Sequence, residues 1–203
     1  DIIKSKYKGH IKEILKTQDF SNYFSCCIIG GDGSFHEAIN GYMNRKDKES
    51  ITLSLVPAGS GNSLARDLNI LDYKLALKNI LKRQTKSIDI AKISYNNQIL
   101  YSFNIVGWGM VGSVGKKAEK YRWLGGSRYT ILSLLEIVFK KTYDANITIY
   151  DCNDQKSSFN GKFMFIMVCN TIHTGKGMKI APKAILDDGF FDLVLIEDAP
   201  RLK

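Results

Sequence analysis

The stretch IIGGDGSFHEAINGYMN, from Ile28 to Asn44, decides how the first half of the chain folds. An apolar run ends in the turn GGDG (residues 30–33), and apolar residues then recur at the spacing of one helix face: Phe35, Ala38, Ile39, Tyr42 and Met43. This order predicts a strand, a glycine turn and a helix. Ser34 and Glu37 fit the S-x-x-E pattern of a capping box, so we expect the helix to begin at Ser34.

The GGDG turn has a chemical and a purely structural interpretation. A helix N-terminus beside a glycine turn offers free N–H groups and the positive end of the helix dipole, which suit a phosphate. Asp32 would repel a phosphate, and a general base that acts on an incoming hydroxyl would explain its presence. A tight turn closed by an aspartate hydrogen bond explains the same residues without chemistry. The motif alone leaves both interpretations open.

A second segment, VPAGSGNSLARDL (Val56–Leu68), repeats the order of strand, glycine turn and helix. The carboxyl ends of neighbouring parallel strands meet at one edge of a sheet, where ligands bind in open α/β folds. We therefore expect the two turns to lie side by side. Neither turn has the G-x-x-x-x-G-K-[ST] pattern of a P-loop.

The spacing of the elements changes near residue 87. Before it, strands and helices alternate, which predicts a parallel sheet covered by helices. After it, strand candidates lie closer together, with two helical stretches at residues 116–123 and 128–141, which predicts a largely antiparallel domain. We expect an α/β domain over residues 1–86 and a β domain with inserted helices over residues 87–203. Within these domains we expect strands at residues 50–56 and 87–93 and a hairpin loop at residues 151–161.

Charge and cysteine content limit the partners and the compartment. The net charge of +9 favours an anionic partner: a nucleic acid, an anionic membrane or a phosphorylated ligand. No motif combines stacking aromatic residues with basic ones, so we do not expect nucleic acid. The four cysteines form no C-x-x-C pair, and histidines are too sparse for a zinc site. This pattern fits a reducing, intracellular compartment, and no apolar run reaches the length of a membrane span.

Several motifs together resemble one family. GGDGSFHEAINGYMN followed by PAGSGNSLARDL resembles the diacylglycerol kinase catalytic domain family, and within it the sphingosine kinase and ceramide kinase branch. Three further tracts resemble segments of that branch: SKYKGHIKEI (Ser5–Ile14), WGMVGSVGKKAEKYRWLGGSRYTI (Trp108–Ile131) and APKAILDDGFFDLVLI (Ala181–Ile196). The resemblance covers nearly the whole chain. It implies a three-layer nucleotide-binding α/β domain of the NAD kinase and diacylglycerol kinase type, followed by a lipid-binding β-sandwich domain.

The resemblance also implies an activity and a set of site residues. Members of the family are lipid kinases that use ATP and Mg²⁺, and by the match Asp32 is the general base that activates the lipid hydroxyl. No side chain is assigned to the metal. The residues assigned to the nucleotide are Ser5, Gly30, Gly31, Gly33, Ser34, Glu37, Ser60, Gly61, Asn62, Arg122 and Arg128. The two arginines match those that reach the ATP phosphates, a role that suits guanidinium groups.

The acceptor stays open between several substrates. A sphingoid lipid is the first expectation, but Ser113 and Gly115 stand where sphingosine kinases carry acids that meet the lipid's ammonium. Without such a carboxylate an ammonium would be poorly held in an apolar site, so ceramide and diacylglycerol remain alternatives. A kinase of a soluble substrate related to NAD kinase or phosphofructokinase, and a degenerate lipid- or nucleotide-binding module, are further alternatives. GWGMVG (Gly107–Gly112) also satisfies the dinucleotide pattern G-x-G-x-x-G, but no βαβ unit closes behind it, so we expect packing glycines beside a lipid pocket there.

The resemblance finally implies a location and missing segments. We expect a cytoplasmic protein that meets its lipid substrate at an anionic membrane surface, and a homodimer is compatible with this. The family's N-terminal strand with its Asn-Pro phosphate turn is expected before Asp1, and its D-G-E motif after Lys203.

Overall fold

The computed structural model describes residues 1–47, 50–109, 142–174 and 177–198. Its helices are α1 (His10–Thr17), α2 (Asp32–Tyr42), α3 (Ser63–Asp67) and α4 (Tyr73–Leu81). Its strands are β1 (Ser25–Gly30), β2 (Thr52–Pro57), β3 (Ala91–Tyr95), β4 (Gln98–Ser102), β5 (Ile105–Gly109), β6 (Tyr143–Tyr150), β7 (Lys156–Cys169), β8 (His173–Thr174), β9 (Met178–Lys179) and β10 (Asp192–Glu197). The helices predicted at residues 116–123 and 128–141 lie outside the described residues.

The chain divides into two compact units. The first comprises residues 1–105 and 169–192, and the second comprises residues 106–168 and 193–203. Residues 169–192 therefore cluster with the first unit, although they follow the predicted boundary at residue 86. The boundary itself stays a prediction. Within the described ranges, no helix is long and apolar enough to span a membrane.

A parallel strand pair organises the first unit. β1 pairs with β2 from Ser25 opposite Thr52 to Gly30 opposite Pro57, and α2 connects the two strands. The Ala58 N–H donates to the Gly30 carbonyl at 2.9 Å, so the pairing continues to the point where both strands end. Apolar side chains from α1, α2, α3 and both strands form the core together with Phe103, which follows β4; they include Leu15, Ile28, Phe35, Ile39, Leu55 and Leu64. The predicted α/β arrangement with parallel strands is confirmed.

The strand predicted at residues 87–93 is wrong in its first half. Residues 84–90 have no regular structure, and β3 begins at Ala91. Ile88 and Ile90 pack against the core, which explains the apolar alternation without a partner strand. The backbone of Asp89 between them is satisfied elsewhere: its N–H donates to the Leu186 carbonyl at 2.7 Å, and its carbonyl accepts from Asn170 Nδ2 at 2.8 Å.

Antiparallel pairing dominates the second half of the chain, as predicted. β3 and β4 form a hairpin whose turn residues Asn96 and Asn97 both have positive φ, the geometry of a two-residue hairpin turn. In the second unit, β5, β6, β7 and β10 form one sheet in which β6 and β7 run antiparallel. The loop predicted at residues 151–161 is too long, because β7 already begins at Lys156. Asp151 closes the shorter turn by accepting from the N–H groups of Asn153 and Gln155, both at 2.8 Å.

A buried asparagine joins α2 to β4. The Asn40 side chain is only 3% exposed, and its Nδ2 donates to the carbonyls of Tyr101 at 2.8 Å and His36 at 2.9 Å. Its Oδ1 accepts from the Tyr101 N–H at 2.9 Å. One amide thus satisfies both backbone groups of Tyr101, which would otherwise lack partners in the interior.

We expect Asn40→Ala to destabilise the first unit by roughly 2–4 kcal/mol, because it leaves the Tyr101 N–H and carbonyl unsatisfied. Urea unfolding of the two proteins measures the difference. Asn44→Ala is the matched control, since the Asn44 side chain, just after α2, makes one hydrogen bond, to the nearby Asn40 carbonyl. A loss in Asn40→Ala no larger than in the control would contradict the prediction.

Stability should also depend on the protonation of His36. Burial lowers the pKa of His36 below its ordinary value, with Lys12 lowering it further and Glu37 acting in the opposite direction. The unfolded chain therefore binds this proton more tightly, and stability should fall as the pH drops below the unfolded pKa of about 6.5. Between about pH 7.5 and about pH 5.5, the midpoint of urea unfolding should decrease more in the wild type than in His36→Gln. An equal fall in both would contradict this assignment.

Candidate functional site

Helix α2 begins at Asp32, two residues before the predicted start. Gly31 is the N-cap and no side chain caps the helix, so the predicted capping box is wrong. The earlier start places Ser34 inside the first turn, where its side chain packs against Gly30. A Cβ at Gly30 would lie 2.6 Å from Ser34 Oγ. The Glu37 carboxylate accepts from the Gly9 N–H at 2.9 Å instead, which ties α2 to the start of α1.

The two glycine turns touch each other backbone to backbone. A Cβ at Gly31 would lie 2.9 Å from the Cα of Gly59, and a Cβ at Gly59 would lie 2.4 Å from the Cα of Gly31. Neither position can carry a side chain without moving the other turn. The expectation that the turns lie side by side is confirmed. Gly59 was missed as a site residue, although it stands in the A-G-S-G turn directly after a parallel strand.

Asn62 closes the second turn from within. Its backbone is left-handed, with φ of 52°. Its side-chain Oδ1 accepts from the Gly59 N–H at 3.0 Å, and its Nδ2 donates to the Gly59 carbonyl at 2.8 Å. Both polar groups of the Asn62 side chain therefore shape the turn. The neighbouring Ser60 is exposed, and a Cβ at Gly61 would lie 3.0 Å from Asp32 Oδ2, so Gly61 leaves the space that this carboxylate needs.

The Asp32 carboxylate crosses from the first turn to the second. Its Oδ2 accepts from the Ser63 N–H at 3.0 Å and its Oδ1 from the Leu64 N–H at 3.2 Å. It thus satisfies the first free N–H groups of α3, which no side chain of its own segment caps. Each carboxylate oxygen can accept more than one hydrogen bond, so the half-buried group retains lone pairs for a ligand.

The structure brings most, though not all, of the predicted residues together. The two turns gather Gly30, Gly31, Asp32, Gly33 and Ser34 with Ser60, Gly61 and Asn62. Glu37 is turned toward α1, and Ser5 is exposed in the segment before α1, where it makes no hydrogen bond to either turn. The positions of Arg122, Arg128, Ser113 and Gly115 lie outside the described residues.

The edge formed by the turns fits a phosphate better than a protein-bound metal. Gly33 is exposed in the first turn of α2, and a Cβ there would meet nothing within 4 Å, so a ligand can approach this N-terminus closely. Among the described residues, no group of three or more His, Cys, Asp or Glu side chains could hold a metal ion. A Mg²⁺ ion held mainly by phosphate oxygens and water needs only one or two carboxylates, and Asp32 could be one of them.

A hairpin from the second half of the chain packs on α3, and sequence reasoning missed it. Asp67 Oδ2 accepts from the Ile172 N–H at 2.6 Å, and its Oδ1 pairs with Nδ1 of His173. The guanidinium of Arg66 lies against Gly177, where a Cβ would be 3.0 Å from Arg66 Cζ. These partners are separated by more than one hundred residues, so no local pattern could have identified them.

The dinucleotide-like pattern GWGMVG has a packing explanation for the part that is described. Gly109 ends β5 with φ of 81°, and a Cβ there would lie 2.7 Å from the Met164 carbonyl oxygen of β7. Close packing between two strands therefore requires this glycine. The remaining residues of the pattern, 110–112, lie outside the described ranges.

Comparisons with known proteins agree on one family. Residues 1–93 match the family model of the diacylglycerol kinase catalytic domain, and residues 104–203 match that of the YegS C-terminal NAD kinase beta sandwich-like domain. Sphingosine kinase 1 of Arabidopsis thaliana is 27% identical over 245 residues, covering 100% of this chain and 50% of the relative. Ceramide kinase of Homo sapiens is 25% identical over 265 residues, covering 99% and 49%. The chain thus spans about half the length of these curated relatives.

A solved structure shows the same fold. A diacylglycerol kinase from Bacillus anthracis str. Sterne matches with a TM-score of 0.70 and 22% sequence identity, covering 95% of this chain and 60% of that chain. This likeness supports the arrangement of an α/β part and an antiparallel sheet part.

The contact between the turns predicts opposite effects for two glycines of one motif. Gly31→Ala should lower the melting temperature by several degrees, because its Cβ would collide with the backbone of Gly59. Gly33→Ala is the matched control: its Cβ meets open space inside a helix, so alanine should be neutral or stabilising by about 0.5–1 kcal/mol. Thermal unfolding followed by circular dichroism measures both. A Gly31→Ala protein as stable as Gly33→Ala would show that the turns do not touch.

Proposed function

Because the chain belongs to the diacylglycerol kinase catalytic domain family of lipid kinases, we propose that it is an ATP-dependent kinase that phosphorylates the primary hydroxyl of a sphingoid lipid. The observation that carries this proposal is the position of Asp32. Its carboxylate stands between two glycine turns, at the edge where both parallel strands end. A general base is needed at such an edge, and the same carboxylate also links the two turns by accepting from the N–H groups of Ser63 and Leu64.

The geometry around Asp32 supports the role of general base. Two backbone N–H groups of α3 hold its carboxylate in one orientation, so the group is positioned before any substrate arrives. Asp32 would accept the proton of the lipid hydroxyl while the hydroxyl oxygen forms its bond to phosphorus and the bond to the leaving diphosphate breaks. Phosphoryl transfer depends mainly on such positioning and on neutralising charge.

The two turns would hold the nucleotide. When bound, ATP supplies the transferred phosphoryl group and Mg²⁺ neutralises the charge of its phosphates. The glycine backbone at residues 30–33 lets phosphate oxygens approach the N-terminus of α2, and Ser60 is exposed at the neighbouring turn. Arg122 and Arg128 remain candidates for the equatorial phosphate oxygens.

The location and assembly belong to the same proposal. A net charge of +9 would draw the protein to an anionic membrane surface, where a lipid substrate is found. We place the protein in the cytoplasm, peripherally bound to such a membrane. The homodimer stays a prediction.

One sequence feature favours a second candidate acceptor. Ser113 and Gly115 replace the acids that would meet the ammonium of sphingosine, and ceramide and diacylglycerol carry no such charge. The similarity to a ceramide kinase over 99% of the chain is compatible with this candidate.

A transfer assay separates the candidates. The protein is incubated with labelled ATP, Mg²⁺ and mixed vesicles that contain sphingosine, ceramide or diacylglycerol, with NAD as a soluble acceptor in parallel. We expect label in one of the lipids. Transfer to NAD alone would overturn the lipid proposal in favour of a soluble-substrate kinase, and transfer to none of the acceptors would favour a degenerate binding module.

Asp32→Asn tests the base. Turnover should fall at least about a hundredfold, because the amide cannot accept the proton, while ATP binding persists. Asp72→Asn is the matched control, since Asp72 is an exposed carboxylate that caps α4 by accepting from the Lys74 N–H at 2.9 Å. Melting temperatures of both variants report any weakening of the α3 start. Turnover of Asp32→Asn near the wild-type rate would contradict the assignment of Asp32 as the general base.

A further inference from the structure

Arg66 is a cation for which the described residues offer no acceptor. Its Nε is buried and has no hydrogen-bond partner, and no hydrogen bond or ion pair of its guanidinium is seen within the described ranges. The adjacent carboxylate of Asp67 is already used by the Ile172 N–H and by His173. A buried donor without an acceptor costs free energy and is uncommon in native proteins. This position therefore suits an anionic ligand, since no described residue provides an acceptor for the buried Nε.

The guanidinium is nevertheless held in place. Arg66 Cζ and Nε lie 3.0 and 3.1 Å from where a Cβ of Gly177 would be, so a side chain at position 177 would press against this group. Gly177 also has φ of 79°, which favours glycine on conformational grounds. Asp67 fixes the same hairpin to α3 through the Ile172 N–H. Arg66 thus packs between α3 and the hairpin, and this packing restricts the conformations of its side chain before a ligand binds.

The helix places Arg66 near Asp32. The Arg66 N–H donates to the Asn62 carbonyl at 3.0 Å, one turn from the residues that bind the Asp32 carboxylate. Residues three and four apart share a helix face, so Arg66 lies on the face of Asn62 and Ser63. Side chains on a helix tilt toward its N-terminus, and one turn rises only about 5.4 Å. The Arg66 side chain therefore begins about one helix turn from the N–H groups that bind the Asp32 carboxylate.

We propose that Arg66 binds phosphate oxygens at this site. A guanidinium matches a phosphate in charge and can donate two parallel hydrogen bonds. Its charge would offset the repulsion between the Asp32 carboxylate and a phosphate at the same edge. The phosphate comes either from the nucleotide or from the phosphorylated lipid product. This inference rests on the proposed function, which brings both to the two turns.

Arg66→Met tests the proposal, because methionine retains an unbranched stem beside Gly177 and removes every donor. Isothermal titration with inorganic tripolyphosphate should show affinity reduced about tenfold or more, the equivalent of about 1.4 kcal/mol. The melting temperature should stay unchanged or rise, because an unsatisfied buried donor is gone. Arg66→Lys should retain part of the affinity through its charge. Arg83→Met is the matched control, an arginine stacked on Phe24 outside the site.

A second titration arm identifies the source of the phosphate. Its probe is a short-chain phosphatidate below its micelle concentration. Affinity lost for tripolyphosphate alone assigns Arg66 to the nucleotide, and affinity lost for the phosphatidate alone assigns it to the product. Unchanged affinity for both probes, or no binding of either by the wild type, overturns the proposal. A lowered melting temperature with equal loss of adenosine binding would indicate a structural role and would also overturn it.

The transfer assay separates this inference from the proposed function. If the wild type transfers phosphate to a lipid and Arg66→Met binds both probes as tightly as the wild type, only the proposed role of Arg66 is contradicted. If Arg66→Met loses affinity for a probe but the wild type transfers phosphate to no lipid, the kinase proposal is contradicted and the phosphate site stands.

Discussion

The backbone contact between Gly31 and Gly59 is the constraint on which the candidate site depends. Two parallel strands end at one edge, and each is followed by a turn that must carry no side chain where it meets the other. At this separation Asp32, on the first turn, reaches the N–H groups that begin α3 after the second turn. The carboxylate that would perform chemistry is therefore also a structural link between the turns.

Polar side chains hold together parts of the first unit that are far apart in sequence. Asn40 connects α2 with β4, Asn170 connects the backbones of Asp89 and Phe103, and Asp67 connects α3 with the hairpin of β8 and β9. Each ties backbone groups that no sheet partner satisfies in the described ranges. The result is an interior in which side chains do part of the work that extended sheet pairing does elsewhere.

Local sequence patterns were enough to predict individual helices and strands. The expected topology of the sheet predicted that the two glycine turns lie side by side. The helical spacing of α2 depends on residues close in sequence, so periodicity was enough to predict this helix, and the alternation of strands and helices predicted the parallel pair of β1 and β2. The two glycine turns were expected together because parallel strands end at the same edge. The family motifs then added roles for Asp32 and its neighbours that no spacing rule could assign.

Two of the errors, at Glu37 and at residues 87–90, share a physical cause, which is competition from partners distant in sequence. Glu37 fits a capping box locally, yet the Gly9 N–H offers it a hydrogen bond in the folded chain. Ile88 and Ile90 alternate like strand residues, yet they pack on the core from an irregular segment. In the sequence, Arg66 and Asp67 look like ordinary charged residues of a short helix. Their contacts are with a hairpin more than one hundred residues away, which no local pattern reveals.

The glycine contact also determines how this edge of the molecule can change over time. A substitution in one turn alters the space available to the other, and Asp32 transmits any displacement directly to α3. Homologous turns grafted one at a time would thus meet a neighbour shaped for a different backbone. The two turns are therefore expected to evolve together. Recombination that moves both turns can preserve the site, whereas recombination between them requires compensating substitutions in both.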